Sequence, residues 1–221
     1  MLRVLFILVF SVAYTGTSWA TDINFTTADK ATIYANYQQR GSHAILLAHG
    51  AIFNKESWGA FEQRLLEENF TVLAIDFRGY NKSTQGEKPQ ALFEDILAGV
   101  RFLKQQQDIN SVTVLGASMG GGAASKANVY SELNSIDQLI LLSPAKVFKP
   151  EKLKGQLLFI TSKDEYSAKA IQSSYTKAAA PKKIILINGK AHAQHIFKTT
   201  EAEGLTTGII AFLKSFKTNN H

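Results

Sequence analysis

The chain has 221 residues, 45% hydrophobic and 19% charged, a balance that excludes a disordered or fibrous protein. Cysteine is absent, which excludes disulfides, thiolate zinc sites, iron–sulfur clusters and cysteine nucleophiles. Lys and Arg number 24 against 18 Asp and Glu; the net charge of +6 is a mild excess that a solvated basic surface accounts for.

Residues 1–20 read as a separate object. Arg3 gives a short positive region, Val4–Ala13 is an apolar run, and Thr15–Ala20 turns small and polar. Ser18 and Ala20 occupy the two small positions of a small-x-small cleavage site, so a secretory signal peptide cut after Ala20 is expected. The apolar run is shorter than the roughly 20 residues a bilayer span requires. Residues 21–221 are then expected as one exported domain, periplasmic or secreted.

The rest of the chain alternates strands and helices. Ala31–Tyr37 alternates apolar and polar residues and is expected as an edge strand. Ala44–Ala48, Thr71–Phe77, Ser111–Leu115, Ile136–Leu142, Gln156–Ile160 and Lys183–Asn188 are short β-rich runs. Most are apolar on both faces, the pattern of a parallel sheet covered on both sides. Ser57–Glu68, Ala91–Gln105 and Thr206–Phe216 carry apolar residues at helical spacing. Alternating βα units indicate a three-layer α/β/α sandwich with a mostly parallel central sheet and right-handed crossovers.

The chemistry concentrates after the strand Ser111–Leu115, where Gly116-Ala117-Ser118-Met119-Gly120 spells G-x-S-x-G. A strand turning at once into a helix holds the serine in a strained conformation, and glycines two residues away on either side leave room for the turn. Ala123, Ala124 and Ala127 then supply a small-residue helix whose N-terminus favours negative charge.

With His49-Gly50 after the strand Ala44–Ala48, the segment Asp76–Ser83, the elbow Gly116–Gly121 and Ser143-Pro144, the chain resembles an α/β-hydrolase. It is similar to the small carboxylesterase and dienelactone-hydrolase-like branch. Asn81 stands where that family usually has glycine. The resemblance implies a Ser-His-acid triad in the chain order serine, acid, histidine. Asp164, just past the strand Gln156–Ile160, stands where the family places its acid; Glu165 is the adjacent alternative, and Asp137 precedes its strand rather than following it. His192 matches the family's histidine after the last strand, with His195 as runner-up. His43 belongs to the opposite sheet edge, His49 to a structural turn, and His221 to the C-terminus. Ser118 is then the nucleophile, His192 the base and Asp164 its orienting acid. The backbone amides of Met119 and Ala51 are expected to form the oxyanion hole.

Only Pro144–Gly155 joins the strand after the elbow helix to the next, which leaves no room for a cap domain and implies an open site. Lys146, Lys149, Lys152 and Lys154 crowd this connection; a solvated loop or short helix accounts for them, and weak association with an anionic surface is the alternative. No cofactor is implied, and no metal, because His192 and His195 have no third ligand nearby in the sequence. Aromatic interleaving for nucleic acid is missing. The reading is an exported serine hydrolase of esters or thioesters acting on a small-molecule substrate. Acyl transfer or peptide hydrolysis on the same triad, and a non-catalytic binding protein of the same fold, are the alternatives.

Overall fold

The computed structural model describes residues 20–216; the expected signal segment up to residue 19, and His221, lie outside them. Eight strands form one sheet. They are β1 (Thr21–Thr26), β2 (Thr32–Gln38), β3 (His43–Ala48), β4 (Thr71–Ile75), β5 (Ser111–Ala117), β6 (Gln138–Leu142), β7 (Gln156–Ser162) and β8 (Lys182–Ile187). Their order is β1-β2-β4-β3-β5-β6-β7-β8. β3 to β8 run parallel, while β1 and β2 are antiparallel to their neighbours.

The helices are α1 (Gly59–Glu67), α2 (Leu92–Lys104), α3 (Met119–Tyr130), α4 (Ala168–Lys177) and α5 (Ala202–Lys214). Strand side chains alternate between two cores, as period-2 geometry requires. Leu46, Leu73, Val114, Leu139 and Phe159 pack with Ile96 of α2, Ala124 of α3 and Ile171 of α4. Ile45, Leu47, Leu115, Ile140 and Leu158 pack with Leu65 of α1 and Leu205 and Ile209 of α5. Every residue of β4, β5 and β6 is buried. Each such Leu or Ile contributes about 1.5–3 kcal/mol. The result is the three-layer α/β/α sandwich expected, with no cap domain: residues 143–155 between β6 and β7 hold only a 3₁₀ turn, Pro150–Lys152.

Four details depart from the sequence reading. The Ala31–Tyr37 strand is not an edge, because β1 pairs along it from Thr21↔Tyr37 to Thr26↔Thr32 and Phe25 stacks on Phe102 of α2 at 5.7 Å. The Ser57–Glu68 helix divides at Gly59, whose φ of +43° and ψ of −119° separate a 3₁₀ turn, Lys55–Trp58, from α1. α4 escaped notice because only Ala168 and Ile171 of it are buried, too thin a stripe to read. β7 continues two residues beyond Ile160.

The loop after β4 is fixed by one buried guanidinium. Arg78 reaches Asp29, in the β1–β2 turn, with Nη1 to Oδ2 at 2.6 Å, and Asp95 of α2 with Nη2 to Oδ1 at 2.6 Å. All three side chains are at most 4% exposed. Hydrogen bonds from Arg78 hold the Asp29 carboxyl far below its ordinary range despite burial.

Candidate active site

β5 passes directly into α3 through Ser118, whose φ is +50° and ψ −112°. A non-glycine residue in this region carries strain and persists only where its surroundings hold it. Here the Ser118 amide donates to the Leu142 carbonyl at 3.0 Å, and its carbonyl accepts from Ala145 at 2.9 Å and Gly122 at 3.1 Å. The flanking glycines are obligatory. A Cβ on Gly116 would lie 2.3 Å from the Gly120 carbonyl oxygen, and one on Gly120 would lie 2.2 Å from that of Ala48. The register levels Gly116 with Ala48 of β3, so the elbow stands beside the His49-Gly50 turn.

The loop after β8 brings His192 to the serine, with Nε2 2.8 Å from Ser118 Oγ. Its Nδ1 bonds Oε2 of Glu165. The acid expected at Asp164 is therefore displaced by one residue. Because β7 runs on to Ser162, the turn that follows carries Lys163 and Asp164 outward. The Asp164 amide donates to the Gly189 carbonyl at 3.0 Å, while its side chain faces solvent. Glu165 turns inward and is 6% exposed. Its Oε1 accepts from Thr161 Oγ1 at 2.5 Å, Ser143 Oγ at 2.8 Å and the Ser162 amide at 3.0 Å; Oε2 also accepts from Ser167 Oγ at 3.1 Å. Burial pushes this carboxyl up, but the bonds from His192, Thr161, Ser143 and Ser162 outweigh it and hold it below its usual value. As a carboxylate, Glu165 is an acceptor for a proton on His192 Nδ1, an arrangement that turns the Nε2 lone pair toward the serine hydroxyl.

The loop after β3 is pinned at three consecutive peptides. The Gly50 amide donates to Gln194 Oε1 at 2.8 Å. The Gly50 carbonyl accepts from His49 Nδ1 at 2.8 Å and from the Phe53 amide at 3.0 Å. The Ala51 carbonyl accepts from Tyr80 Oη at 2.8 Å. In a trans peptide the N–H points opposite to the carbonyl, so fixing the Gly50 carbonyl also fixes the direction of the Ala51 amide. Met119 opens α3, and the amides of a first helical turn have no intrahelical acceptor.

Gln194 escaped the sequence reading. It is 2% exposed, and its Nε2 donates to Ser57 Oγ at 2.5 Å, so it ties the histidine loop to both ends of the loop after β3. Its place two residues after the histidine was the only available signal.

The other described histidines stay apart from this centre. His49 is fully buried; burial lowers it, and its Nε2 accepts from the Phe77 amide at 3.2 Å. His43 opens β3 at the opposite edge and bonds Thr113 Oγ1 at 2.7 Å. His195 is exposed, with its ring 5.1 Å from that of Phe53.

Apolar side chains stand open beside His192 and on the loop after β3. Tyr166, 82% exposed, lies with its ring 5.2 Å from His192, and Ile52 beside Ala51 is 78% exposed. In the 143–155 connection Lys146, Lys149 and Lys152 face solvent, whereas Lys154 turns inward and donates to the Ser131 carbonyl at 2.5 Å, at the end of α3. Among the described residues no group of three His, Asp or Glu could hold a metal ion, and no helix is long and apolar enough to cross a membrane.

Known proteins are similar to this chain over part or most of its length. Uncharacterized protein Rv2715 of Mycobacterium tuberculosis is 37% identical over 108 residues, 48% of this chain and 30% of that protein. Bifunctional esterase/perhydrolase DCH of Acinetobacter calcoaceticus is 33% identical over 101 residues, 44% of this chain and 35% of that one. The chain thus matches about a third of the length of these curated relatives. Among solved structures, the Pyrococcus furiosus esterase Pf2001 superposes with a TM-score of 0.77 at 18% identity, covering 96% of this chain and 97% of that one. The Exiguobacterium antarcticum esterase EaEST gives 0.72 at 17% identity, covering 88% and 100%. Residues 39–163, more than half of the chain, match the Hydrolase_4 family, serine aminopeptidase S33, and the chain belongs to that family of α/β-hydrolases.

Proposed function

We propose that this chain hydrolyses carboxylic esters, or thioesters, through an acyl-enzyme on Ser118. The observation that carries the reading is the continuous hydrogen-bonded line from Ser118 Oγ to His192 Nε2 and from His192 Nδ1 to Glu165. His192 takes the serine proton as Oγ attacks the acyl carbon, and Glu165 stabilises the imidazolium. The tetrahedral oxyanion is received by the amides of Ala51 and Met119, each such donor being worth about 10²–10³ in turnover. Collapse breaks the ester C–O bond, and His192 returns the proton to the leaving alcohol. Water then attacks the acyl-serine with the same base, releasing a carboxylic acid and restoring Ser118.

The open site suits short or flexible acyl groups, with Tyr166 and Ile52 as the apolar surface for longer ones. The sequence pattern of residues 1–20 supports export, with a mature N-terminus at Thr21 that mass spectrometry of the expressed protein tests. The function is tested with residues 21–221 on p-nitrophenyl acetate, butyrate, octanoate and palmitate, beside Ser118→Ala. Turnover by wild type and none by Ser118→Ala is expected. Equal rates on every ester would sink the esterase reading and favour a binding protein or an acyl carrier to another acceptor. Aminoacyl-p-nitroanilides run in parallel test peptide-bond cleavage on the same triad.

A further inference from the structure

We infer that a polar cleft beside the oxyanion loop is a subsite for a neutral, hydroxyl-rich group, so that the physiological ester is carried on an oligosaccharide. The inference rests on the ester reading above and names its substrate class.

The cleft has a volume of about 580 Å³ and opens beside the C-terminal end of β4. Tyr34 of β2 forms one wall, Asn54 and Lys55 another, and Asn81 and Lys82 a third, over the buried carboxylate of Asp76. Two of these walls continue the loops of the active site. Asn54 lies three residues after Ala51, and Asn81 follows Tyr80, whose hydroxyl holds the Ala51 carbonyl. Ile75 and Gly116 both align with Ala48, so Asp76 and Ser118 are nearly level at the sheet edge, two strand spacings or about 10 Å apart. A single extended ligand spans that distance; the alcohol of a methyl or ethyl ester does not.

The lining selects the ligand. Its charges are spent on each other: Lys55 Nζ is 2.6 Å from Glu56 and 3.9 Å from Asp76, and Lys82 Nζ is 3.3 Å from Asp22. Lys55, 12% exposed, lies among three carboxylates, while Lys82, 70% exposed, pairs with Asp22 alone. An acyl chain would meet the Tyr34 ring and the aliphatic stems of Lys55 and Lys82, and no Leu, Ile, Val or Phe side chain. What remains with spare hydrogen-bonding capacity is uncharged. Asn54 heads the 3₁₀ turn yet makes no side-chain cap bond. Asn81 commits only its Nδ2, to Asp76 at 3.0 Å, which leaves its Oδ1 as an acceptor. The Tyr34 ring already carries Lys82 Nζ 5.6 Å from its centroid and offers its phenol beside it. Alternating donors and acceptors next to an aromatic ring match sugar hydroxyls on a ring face. At Asn81 the residue stands at φ +46°, so glycine can replace it without backbone strain.

The test compares three substrates: p-nitrophenyl acetate, a mono-acetylated methyl glycoside, and mono-acetylated xylobiose or cellobiose. Wild type is expected to favour the disaccharide ester over the single-ring ester by about tenfold in kcat/KM, the worth of one or two net hydrogen bonds. Asn54→Ala, Asn81→Gly and Tyr34→Ala should each erode that preference and leave p-nitrophenyl acetate turnover within about twofold. A second readout needs no turnover: free xylobiose and cellobiose titrated into ¹⁵N-labelled Ser118→Ala should shift the Asn54 and Asn81 side-chain amide signals. Equal rates on one ring and two, or no shift at those amides, overturns the subsite while p-nitrophenyl acetate turnover keeps the ester reading. Failure on every ester with the amide shifts present would instead remove the ester reading and leave the sugar site.

Discussion

Glu165→Gln isolates what the acid does, because the structure dictates how glutamine must sit. Three donors, Thr161, Ser143 and the Ser162 amide, converge on Oε1 and will hold the amide oxygen of glutamine there. The amide nitrogen then takes the Oε2 position facing His192 Nδ1. Two N–H donors cannot face each other, so Nδ1 becomes an acceptor and the proton moves to Nε2. That nitrogen now donates toward Ser118 Oγ and cannot take its proton. A wrong-tautomer triad costs about 10⁴ in kcat, so a fall of about 10³–10⁴, or roughly 4–5.5 kcal/mol of transition-state stabilisation, is expected. Size and packing are unchanged, so KM should stay within a few-fold. Asp164→Asn, on an exposed side chain, should change kcat by less than about twofold. The assay is saturation kinetics on p-nitrophenyl butyrate, with thermal unfolding of each variant to confirm that it is folded. If folded Glu165→Gln keeps more than a tenth of wild-type kcat, or Asp164→Asn costs as much, the assignment of Glu165 is wrong.

Gln194→Leu removes the acceptor of the buried Gly50 amide; it should lower kcat by about 10–100-fold with KM little changed, and Gln194→Glu, which restores an acceptor, should recover part of the loss. Gly120→Ala would press a Cβ to 2.2 Å from the Ala48 carbonyl, so urea melts should show a loss of about 3 kcal/mol or more, whereas Gly204→Ala in α5, with nothing within 4 Å, should be neutral or stabilising by up to about 1 kcal/mol. Burial depresses His43 to about 4 against an ordinary 6.5, with Asp137 pulling the other way. The unfolded chain therefore binds a proton that the native state refuses between those values. The unfolding free energy from urea melts should fall from pH 6.5 toward 4, by up to about 3 kcal/mol from this group, and His43→Gln should flatten that slope.

The elbow was legible because its letters are set by backbone collisions: no side chain fits at Gly116 or Gly120, so the glycines are written into the sequence. Five of the six parallel strands were legible because burial on both faces leaves them largely apolar; β8, only partly buried, was legible from its Ile-Ile-Leu-Ile run. The acid was misplaced by one residue because strand length decides which side of a turn faces inward, and the hydroxyls of Thr161 and Ser162 read as the end of β7 rather than its continuation. The hydroxyls later found around Glu165 carry the missing signal: a buried carboxylate needs several donors, and Ser143, Thr161 and Ser167 supply them from separate places in the chain. β1 and α4 were hidden because each buries only a thin stripe.

The Arg78 cluster also decides what can be cut away. The family match begins at residue 39, yet one of the two carboxylates that neutralise Arg78 belongs to the turn at Asp29, ahead of that boundary. A fragment trimmed to residues 39–163 would strand a guanidinium in the interior with half its counter-charge and bare β4 along the side that β2 covers. It would also lack the histidine. The segment by which relatives are identified is thus smaller than the unit that folds, and the N-terminal hairpin is as inseparable from the hydrolase as its nucleophile.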